Sequence, residues 1–255
     1  MDGAPPAVLV TRPARQAQQW VAALRAAGVA AEALPLIAIA AAPDLAALAQ
    51  ARAGLHTRHA AMFVSAHAVQ GFFEGGLAWP PGVQAWATGP GTRAALLDAG
   101  VPPACIEAPE DDAPRFDSEA LWQRVHADLS ARSTVLLVRG ADAQGRPAGR
   151  DWLAERLASA GAEVNAVAAY QRLLPSWDAA QRARACNAGG AWWIFSSSEA
   201  VRNLQALLPG HDWSQGRALA THPRIAEAAA SAGFARVVEV RPGIEPLLGF
   251  LQSGA

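Results

Sequence analysis

Lysine is absent from this 255-residue sequence, so all 21 strongly basic side chains are arginines. Without a lysine amine, Schiff-base catalysis is excluded, apart from the N-terminal amine. A nucleotide-binding phosphate loop is excluded as well. Gly140 and Gly145 have its glycine spacing after an apolar run, but Arg146 and Pro147 stand where that loop needs Lys and Ser or Thr.

Cysteine is nearly absent too, with only Cys105 and Cys186. Neither has a second cysteine or a histidine at ligand spacing, which argues against a zinc site or a disulfide framework. We expect both thiols to be buried. His56 and His59 have no carboxylate or cysteine at metal-ligand spacing and are expected on a solvated surface. The sequence therefore predicts neither a metal nor another cofactor.

The net charge is also small, and long apolar runs are lacking. A net charge of −1 argues against general electrostatic binding of nucleic acid or an anionic membrane. The longest nearly apolar stretch, residues 33–42, is too short to span a bilayer. The first ten residues lack the basic start of a secretory signal. We expect a cytoplasmic monomer that binds neither nucleic acid nor membrane.

An internal repeat is the main positive feature. Residues 62–69 recur as 194–201, and residues 85–90 recur as 218–223, an offset of about 132 residues. Nearly the same offset relates 8–10 to 136–138. Self-similarity at a fixed spacing indicates repeated structural units. The chain therefore contains two copies of one pattern, each about half its length.

Each repeated segment has a short apolar run, a polar tip, a helix-period stretch and a glycine. Continuous apolar runs that alternate with helices predict parallel strands covered on both faces, hence an α/β fold. Gly28, Gly100, Gly161 and Gly233 are expected to end helices in the left-handed conformation. The nine tryptophans are expected mostly at helical core positions.

Polar residues cluster at the predicted carboxyl ends of the strands. Helix N-termini at this edge offer free backbone N–H groups and a favourable dipole, so anionic ligands bind there. Ordinary helix capping explains any one of these residues equally well. Their number and shared edge favour ligand binding by Thr11, Arg12, Ser65, Thr88, Gly89, Thr92, Ser118, Arg139, Gly140, Ser196, Ser197 and Thr221.

A dinucleotide site is a competing interpretation. Residues 89–94 fit the loose pattern G-x-G-x-x-A after a strand, and Glu107 lies near the distance expected of a ribose ligand. The repeat copy at 221–223 has neither glycine, however. A lone glycine pattern of this kind is weak.

The sequence resembles the uroporphyrinogen-III synthase family along nearly its whole length. The individual motifs are loose, and their order and spacing carry the resemblance. The matching segments are residues 8–13, 34–39, 63–69, 118–121, 136–140, 167–172, 195–198 and 224–229. One departure stands at His67, where this family often has asparagine.

The resemblance implies a fold in which the first domain is discontinuous. Carried onto this sequence, residues 1–36 with 171–255 form one α/β domain, and residues 37–170 form the other. Both domains contain a parallel sheet. Two strand-like connectors, residues 34–40 and 166–172, are expected to pair and join them.

The implied substrate is hydroxymethylbilane, an anionic linear tetrapyrrole, which the family closes into a ring while inverting its last pyrrole. Backbone amides at strand tips can hold its carboxylates without lysine. Tyr170, the single tyrosine, lies in the second connector and is expected to donate its proton to the leaving hydroxyl. Packing alone is the alternative role for this ring.

A different class of function remains open at this stage. Two α/β domains are also how small-molecule binding and sensor proteins are built, and a fold alone does not establish chemistry. Turnover of hydroxymethylbilane distinguishes the two.

Overall fold

The computed structural model describes residues 7–110, 117–149 and 151–253. Strands and helices alternate along most of the chain. The strands are β1 Val8–Val10, β2 Ala31–Ala33, β3 Ala38–Ala41, β4 Ala60–Phe63, β5 Gln84–Ala87, β6 Ile106–Glu107, β7 Thr134–Ala141, β8 Pro147–Ala148, β9 Glu163–Leu173, β10 Trp192–Phe195, β11 Arg217–Ala220 and β12 Arg236–Glu239. The helices are α1 Ala14–Ala26, α2 Leu45–Ala53, α3 Ala66–Phe73, α4 Pro90–Asp98, α5 Ser118–Val125, α6 Trp152–Ser159, α7 Ala179–Cys186, α8 Ser198–Leu207, α9 Pro223–Ser231 and α10 Ile244–Gln252.

The chain divides into two compact units. Unit 1 consists of the described residues of Met1–Ala38 and Leu173–Ala255, and unit 2 is Ile39–Arg172. The sheet of unit 1 has the order β12-β11-β10-β1-β2, and all four strand pairs are parallel. The second sheet has the order β3-β9-β7-β4-β5-β6, and β8 pairs antiparallel with β7. The α/β class with parallel sheets is confirmed.

The two sheets repeat one strand order from different parts of the chain. In unit 1, β2-β1-β10-β11 corresponds to β9-β7-β4-β5 in unit 2. The first sequence copy therefore gives β1 and β2 to unit 1 but β4 and β5 to unit 2. The second copy gives β7 and β9 to unit 2 and β10 and β11 to unit 1. Each unit is assembled from both copies, so unit 1 takes strands from two separate parts of the chain, whereas unit 2 is one continuous segment.

Alternation along the strands of unit 2 places core residues on both faces of the sheet. Ala61 and Phe63 of β4 pack in one cluster, whereas Ala60 and Met62 pack in another. In β7, Leu136 and Val138 likewise belong to the first cluster, whereas Val135 and Leu137 belong to the second. A sheet buried on both faces explains the continuous apolar runs of the sequence.

The prediction that four glycines end helices is confirmed. Gly28, Gly100, Gly161 and Gly233 have φ values of 81°, 86°, 89° and 99°. Each directly follows the C-cap residue of α1, α4, α6 or α9. Only glycine adopts this conformation without steric cost, so these four residues end the helices and turn the chain back towards the sheet.

Three expectations from the sequence were wrong. Cys105 is half-buried and Cys186 is exposed, because α7 buries only Ala185 and leaves Cys186 on its outer side. The expected pairing of the connectors is confirmed for β3 beside β9, but the first connector forms a strand only from Ala38, since the backbone amides of Leu34 and Leu36 bond instead to β1 and Thr11. The tryptophans are not mostly helical, because only Trp20, Trp122 and Trp152 lie in helices.

Candidate active site

The carboxyl ends of parallel strands share one edge in each sheet. In unit 1 this edge carries Thr11 after β1, Ser196 and Ser197 after β10, and Thr221 after β11. In unit 2 it carries Ser65 after β4, Thr88 after β5, and Gly140 near the end of β7. Ten of the twelve polar residues singled out from the sequence lie in these tips, and Thr92 and Ser118 lie at the starts of α4 and α5.

The hydroxyl groups of the unit 1 edge are largely engaged within the protein. Thr11 is 1% exposed, and its hydroxyl donates to the carbonyl of Ile194 at 2.6 Å. Ser197 caps α8 by accepting from the amide of Glu199 at 3.1 Å. Thr221 and Ser196 are half-buried, and the backbone amide of Thr221 donates to Phe195. Capping and strand linkage are thus the visible roles of Thr11 and Ser197.

Arg12 is a half-buried cation at the unit 1 edge. Its guanidinium lies 4.1 Å from the centroid of the Trp20 ring, and one Nη donates to Gln16 at 3.3 Å. Its Nε is shielded from solvent and has no acceptor. Burial lowers the pKa of Arg12 from its ordinary value. Among the residues described, no carboxylate pairs with Arg12. A half-buried, unpaired cation is costly, and an anionic ligand would offset that cost.

Ser65 and Tyr170 meet at the edge of unit 2. Ser65 caps α3 by accepting from the amide of Ala68 at 3.2 Å, and its Oγ lies 3.2 Å from the Tyr170 hydroxyl. Tyr170 is 5% exposed and belongs to the core cluster beneath α3. A hydroxyl that accepts one bond can still donate another. Ser65 can therefore donate to the phenol oxygen and leave the phenol proton available.

Gly140 provides the surface against which the Tyr170 ring packs. A β-carbon placed on Gly140 would lie 2.7 Å from Cζ and 2.9 Å from the hydroxyl oxygen of Tyr170. Gly71 on α3 similarly faces the carbonyl oxygen of Ala169, at 2.1 Å from a β-carbon. The two glycines therefore fix the position of β9, and the visible role of Gly140 is to admit the ring.

Tyr170 also borders a cavity of about 460 Å³, which we call the Tyr170 cavity. His67 on α3 lines it, with its ring centroid 5.6 Å from that of Tyr170. The other lining residues are Ile39, Ala40, Ala41, Gln70, Gly71, Phe73, Glu74 and Ala169. The cavity combines an apolar wall from β3 with an imidazole and a phenol.

Arg139 lines a second cavity at the same edge, of about 210 Å³. Thr88, Ser118, Asp117 and Gly149 share its wall. The Arg139 side chain is 6% exposed and bonds to Asp151 at 2.8 Å. Asp151 was not predicted as a site residue, because it belongs to no recognisable motif. It follows β8 in the chain and pairs with Arg139. Gly89 precedes α4, and Thr92 is buried in its first turn.

The phosphate-loop pattern has a different structure. Residues 140–147 form a hairpin between β7 and β8, in which Asp142 and Gly145 bond across the turn. A phosphate loop requires a following helix instead. The carboxylate of Glu107, the residue considered for a ribose, accepts from Arg124 at 3.2 Å.

Within the described ranges, no three His, Cys, Asp or Glu side chains are grouped so that they could hold a metal. No described helix has the length and apolarity needed to cross a bilayer.

Comparisons with known proteins agree with one another. The family model described as uroporphyrinogen-III synthase HemD matches residues 18–249. Uroporphyrinogen-III synthase of Salmonella typhimurium LT2 is 32% identical over 207 residues, covering 79% of this chain and 80% of the relative.

Two solved structures share the fold. Uroporphyrinogen-III synthetase of Helicobacter pylori 26695 aligns with a TM-score of 0.61 at 15% identity, covering 88% of this chain and 92% of that one. A mutant synthase of Thermus thermophilus aligns with a TM-score of 0.57 at 20% identity, covering 97% and 98%. The chain belongs to the uroporphyrinogen-III synthase family.

Proposed function

We propose that this protein converts hydroxymethylbilane to uroporphyrinogen III, with loss of water and inversion of ring D. Membership of the family carries the proposal. Loss of the terminal hydroxyl gives an electrophilic azafulvene. Ring D then attacks through its already substituted carbon to form a spirocyclic pyrrolenine, and fragmentation with re-closure leaves ring D reversed.

Tyr170 is the residue proposed to assist the first step. Tyr170 borders the Tyr170 cavity, and its hydroxyl lies within hydrogen-bond distance of Ser65. A phenol hydroxyl can donate its proton to the departing hydroxyl, which leaves as water. Ser65, fixed by the amide of Ala68, then donates to the phenol oxygen and stabilises the charge that develops there.

Arg12 is the residue proposed to bind a substrate carboxylate. It is a half-buried cation at the unit 1 edge, its Nε lacks an acceptor, and burial lowers its pKa. The bilane carries acetate and propionate carboxylates, and a guanidinium fork matches a carboxylate in geometry. Arg139, Thr88 and Ser118 are proposed to hold another carboxylate in unit 2, where Arg139 is already balanced by Asp151.

Most of the remaining polar tips are proposed to bind through their backbone amides. These are Thr11, Ser65, Gly89, Gly140, Ser196 and Ser197. The amides of Thr92 and Thr221 already donate to Gly89 and Phe195, so these two residues are proposed to bind through their hydroxyl groups. Amides at helix starts hold carboxylates without a basic side chain. The uncatalysed reaction closes the bilane without inversion, so positioning the substrate against the wrong attack is the main catalytic task.

The protein is further proposed to act as a cytoplasmic monomer without cofactor. Light scattering on the purified protein tests the monomer. An assembly whose dissociation abolishes activity would contradict it.

Turnover separates this function from a binding or sensor role. The purified protein is incubated with an excess of hydroxymethylbilane, and consumption is followed over many equivalents. A synthase consumes the whole excess at a rate proportional to protein concentration. A binding protein protects at most one equivalent and leaves the spontaneous rate for the rest unchanged.

A further inference from the structure

Two arginines lie side by side at the amino edge of the unit 1 sheet. Arg217 begins β11 and Arg236 begins β12, and the two are direct register partners. Trp192 begins β10 and is the register partner of Arg217 on the other side. Direct partners in a sheet are about 4.8 Å apart and project to the same face. The three side chains therefore form one row.

Both guanidinium groups lie over one indole. Each guanidinium carbon is 5.0 Å from the centroid of the Trp192 ring, so the two are no more than twice that distance apart. Stacking on an aromatic face engages the plane of a guanidinium and leaves its N–H edge for hydrogen bonds. Trp192 is fixed in turn by an edge contact with Phe250 at 5.1 Å.

Neither cation is neutralised by a carboxylate among the described residues. Within residues 7–110, 117–149 and 151–253, no carboxylate lies within ion-pair distance of Arg217 or Arg236. Arg184 of the same unit, by contrast, pairs with Glu32 at 2.8 Å. The Nε of Arg217 is shielded from solvent and has no acceptor, while Arg236 is exposed. Like charges on directly paired strand residues destabilise a sheet unless something neutralises them.

We propose that Arg217 and Arg236 form a second anion site, which binds an oxyanion with two negative charges such as a phosphate group or a dicarboxylate. Trp192 is its aromatic floor. Two neighbouring forks can share the oxygens of one such anion, whereas a single negative charge balances only one of them.

The site is separate from the one proposed for the bilane. Arg217 and Arg236 stand at the amino ends of strands whose carboxyl ends lead to Thr221 and the other tips. Four residues of strand separate the two edges by about 10 Å. Arg217→Gln is therefore expected to leave the rate of bilane consumption unchanged, and this readout does not depend on whether the anion binds.

Thermal unfolding with increasing sodium phosphate or sodium succinate, against sodium chloride at equal ionic strength, tests the site. The Tm of the wild-type protein is expected to rise saturably with the dianions, because a ligand that binds only the folded state stabilises it. Comparison of phosphate with succinate identifies which oxyanion the pair prefers.

Substitutions test whether the rise in Tm comes from Arg217 and Arg236. In Arg217→Gln and in Arg236→Gln, the apparent Kd for phosphate is expected to increase about tenfold or more. Arg202→Gln is the matched control, because Arg202 is an exposed arginine of the same unit on α8, and its response is expected to equal that of the wild type. The measured quantity is the shift caused by the anion, so a variant that starts from a lower Tm remains informative.

Two results would overturn the proposal. In one, the dianions raise the wild-type Tm no more than chloride does, which would show that the arginines only cover Trp192. In the other, the rise survives unchanged in both Gln variants, which would place the bound anion elsewhere on the protein.

Discussion

Hydrogen-bond capacity distinguishes the polar residues of the two edges. Thr11 spends its hydroxyl proton on Ile194, and Ser197 caps α8. Tyr170 and Arg12 differ from these. Ser65 can donate to the phenol oxygen and leave the Tyr170 proton available, and the Nε of Arg12 has no acceptor. These two side chains are where substitution should affect the chemistry rather than the fold.

Tyr170→Phe removes the phenol but keeps the ring against Gly140 and the core. General acid help is worth about a hundredfold or more, so kcat for bilane consumption should fall by about that factor. The urea midpoint should move little, since the lost bond to Ser65 is worth about 1 kcal/mol. Steady-state kinetics and urea unfolding on the same preparation measure both.

Ser65→Ala is the comparison for that experiment. It removes the hydroxyl that donates to the phenol oxygen but retains the phenol proton and the backbone amides at the start of α3, so kcat should fall less than in Tyr170→Phe. Full activity in a well-folded Tyr170→Phe protein would show that the ring only packs.

Arg12→Gln tests the unit 1 edge. Loss of a charge-assisted bond to a carboxylate costs about 1.5–3 kcal/mol, so KM for the bilane should rise about tenfold or more. Arg15→Gln is the matched control, because Arg15 is an exposed arginine on the first turn of α1, which begins two residues after Arg12. Equal KM values for both variants and the wild type would remove Arg12 from the substrate site.

At the scale of elements, two close approaches place β9 in unit 2. Gly71 of α3 meets the carbonyl of Ala169, and Gly140 of β7 meets the ring of Tyr170. A β-carbon on either glycine would clash with the group that it faces. Strand position and the orientation of the proposed acid are therefore linked through the absence of two side chains.

Gly140→Ala should disturb stability and catalysis together. The added methyl group would displace the Tyr170 ring, and overpacking of this kind costs about 1–3 kcal/mol. Urea unfolding should show that loss, and kcat should fall even under conditions where the protein stays folded.

Gly91→Ala is the control for Gly140→Ala, since nothing lies within 4 Å of a β-carbon there and Gly91 is in α4. It should be neutral or stabilising by up to about 1 kcal/mol. A Gly140→Ala protein that matches Gly91→Ala in stability and kcat would contradict a packing role for Gly140.

Sequence patterns predicted the elements well where local rules decide them. Apolar runs, polar tips and glycine stops gave the parallel strands and the ends of α1, α4, α6 and α9. The Gly71 contact with Ala169 and the pairing of Arg139 with Asp151 depend on residues distant in sequence or on a turn geometry, so no local pattern indicates them. The exposure of Cys186 likewise depends on which side of α7 the sheet covers.

At the scale of the molecule, the repeat in the sequence and the units of the fold do not coincide. Each unit takes strands from both copies, as the shared order β2-β1-β10-β11 and β9-β7-β4-β5 shows. Repetition alone predicts two similar α/β units but leaves open how the copies are divided between them. Only the resemblance to a known family indicated the discontinuous arrangement.

The proposed reaction needs no metal, a prediction that rests on the lone cysteines and the histidine spacing of the sequence. Activity should be unchanged after dialysis against a chelator. Loss of activity that an added divalent metal restores would contradict the cofactor-free mechanism.

The isomer of the product tests the central claim most directly. Protein is mixed with a large excess of hydroxymethylbilane, the products are oxidised, and the type I and type III porphyrins are separated. Type III is predicted to predominate and to increase with protein concentration, because the protein directs attack through the substituted carbon of ring D. Type I product, formed at the rate seen without protein, would contradict this function.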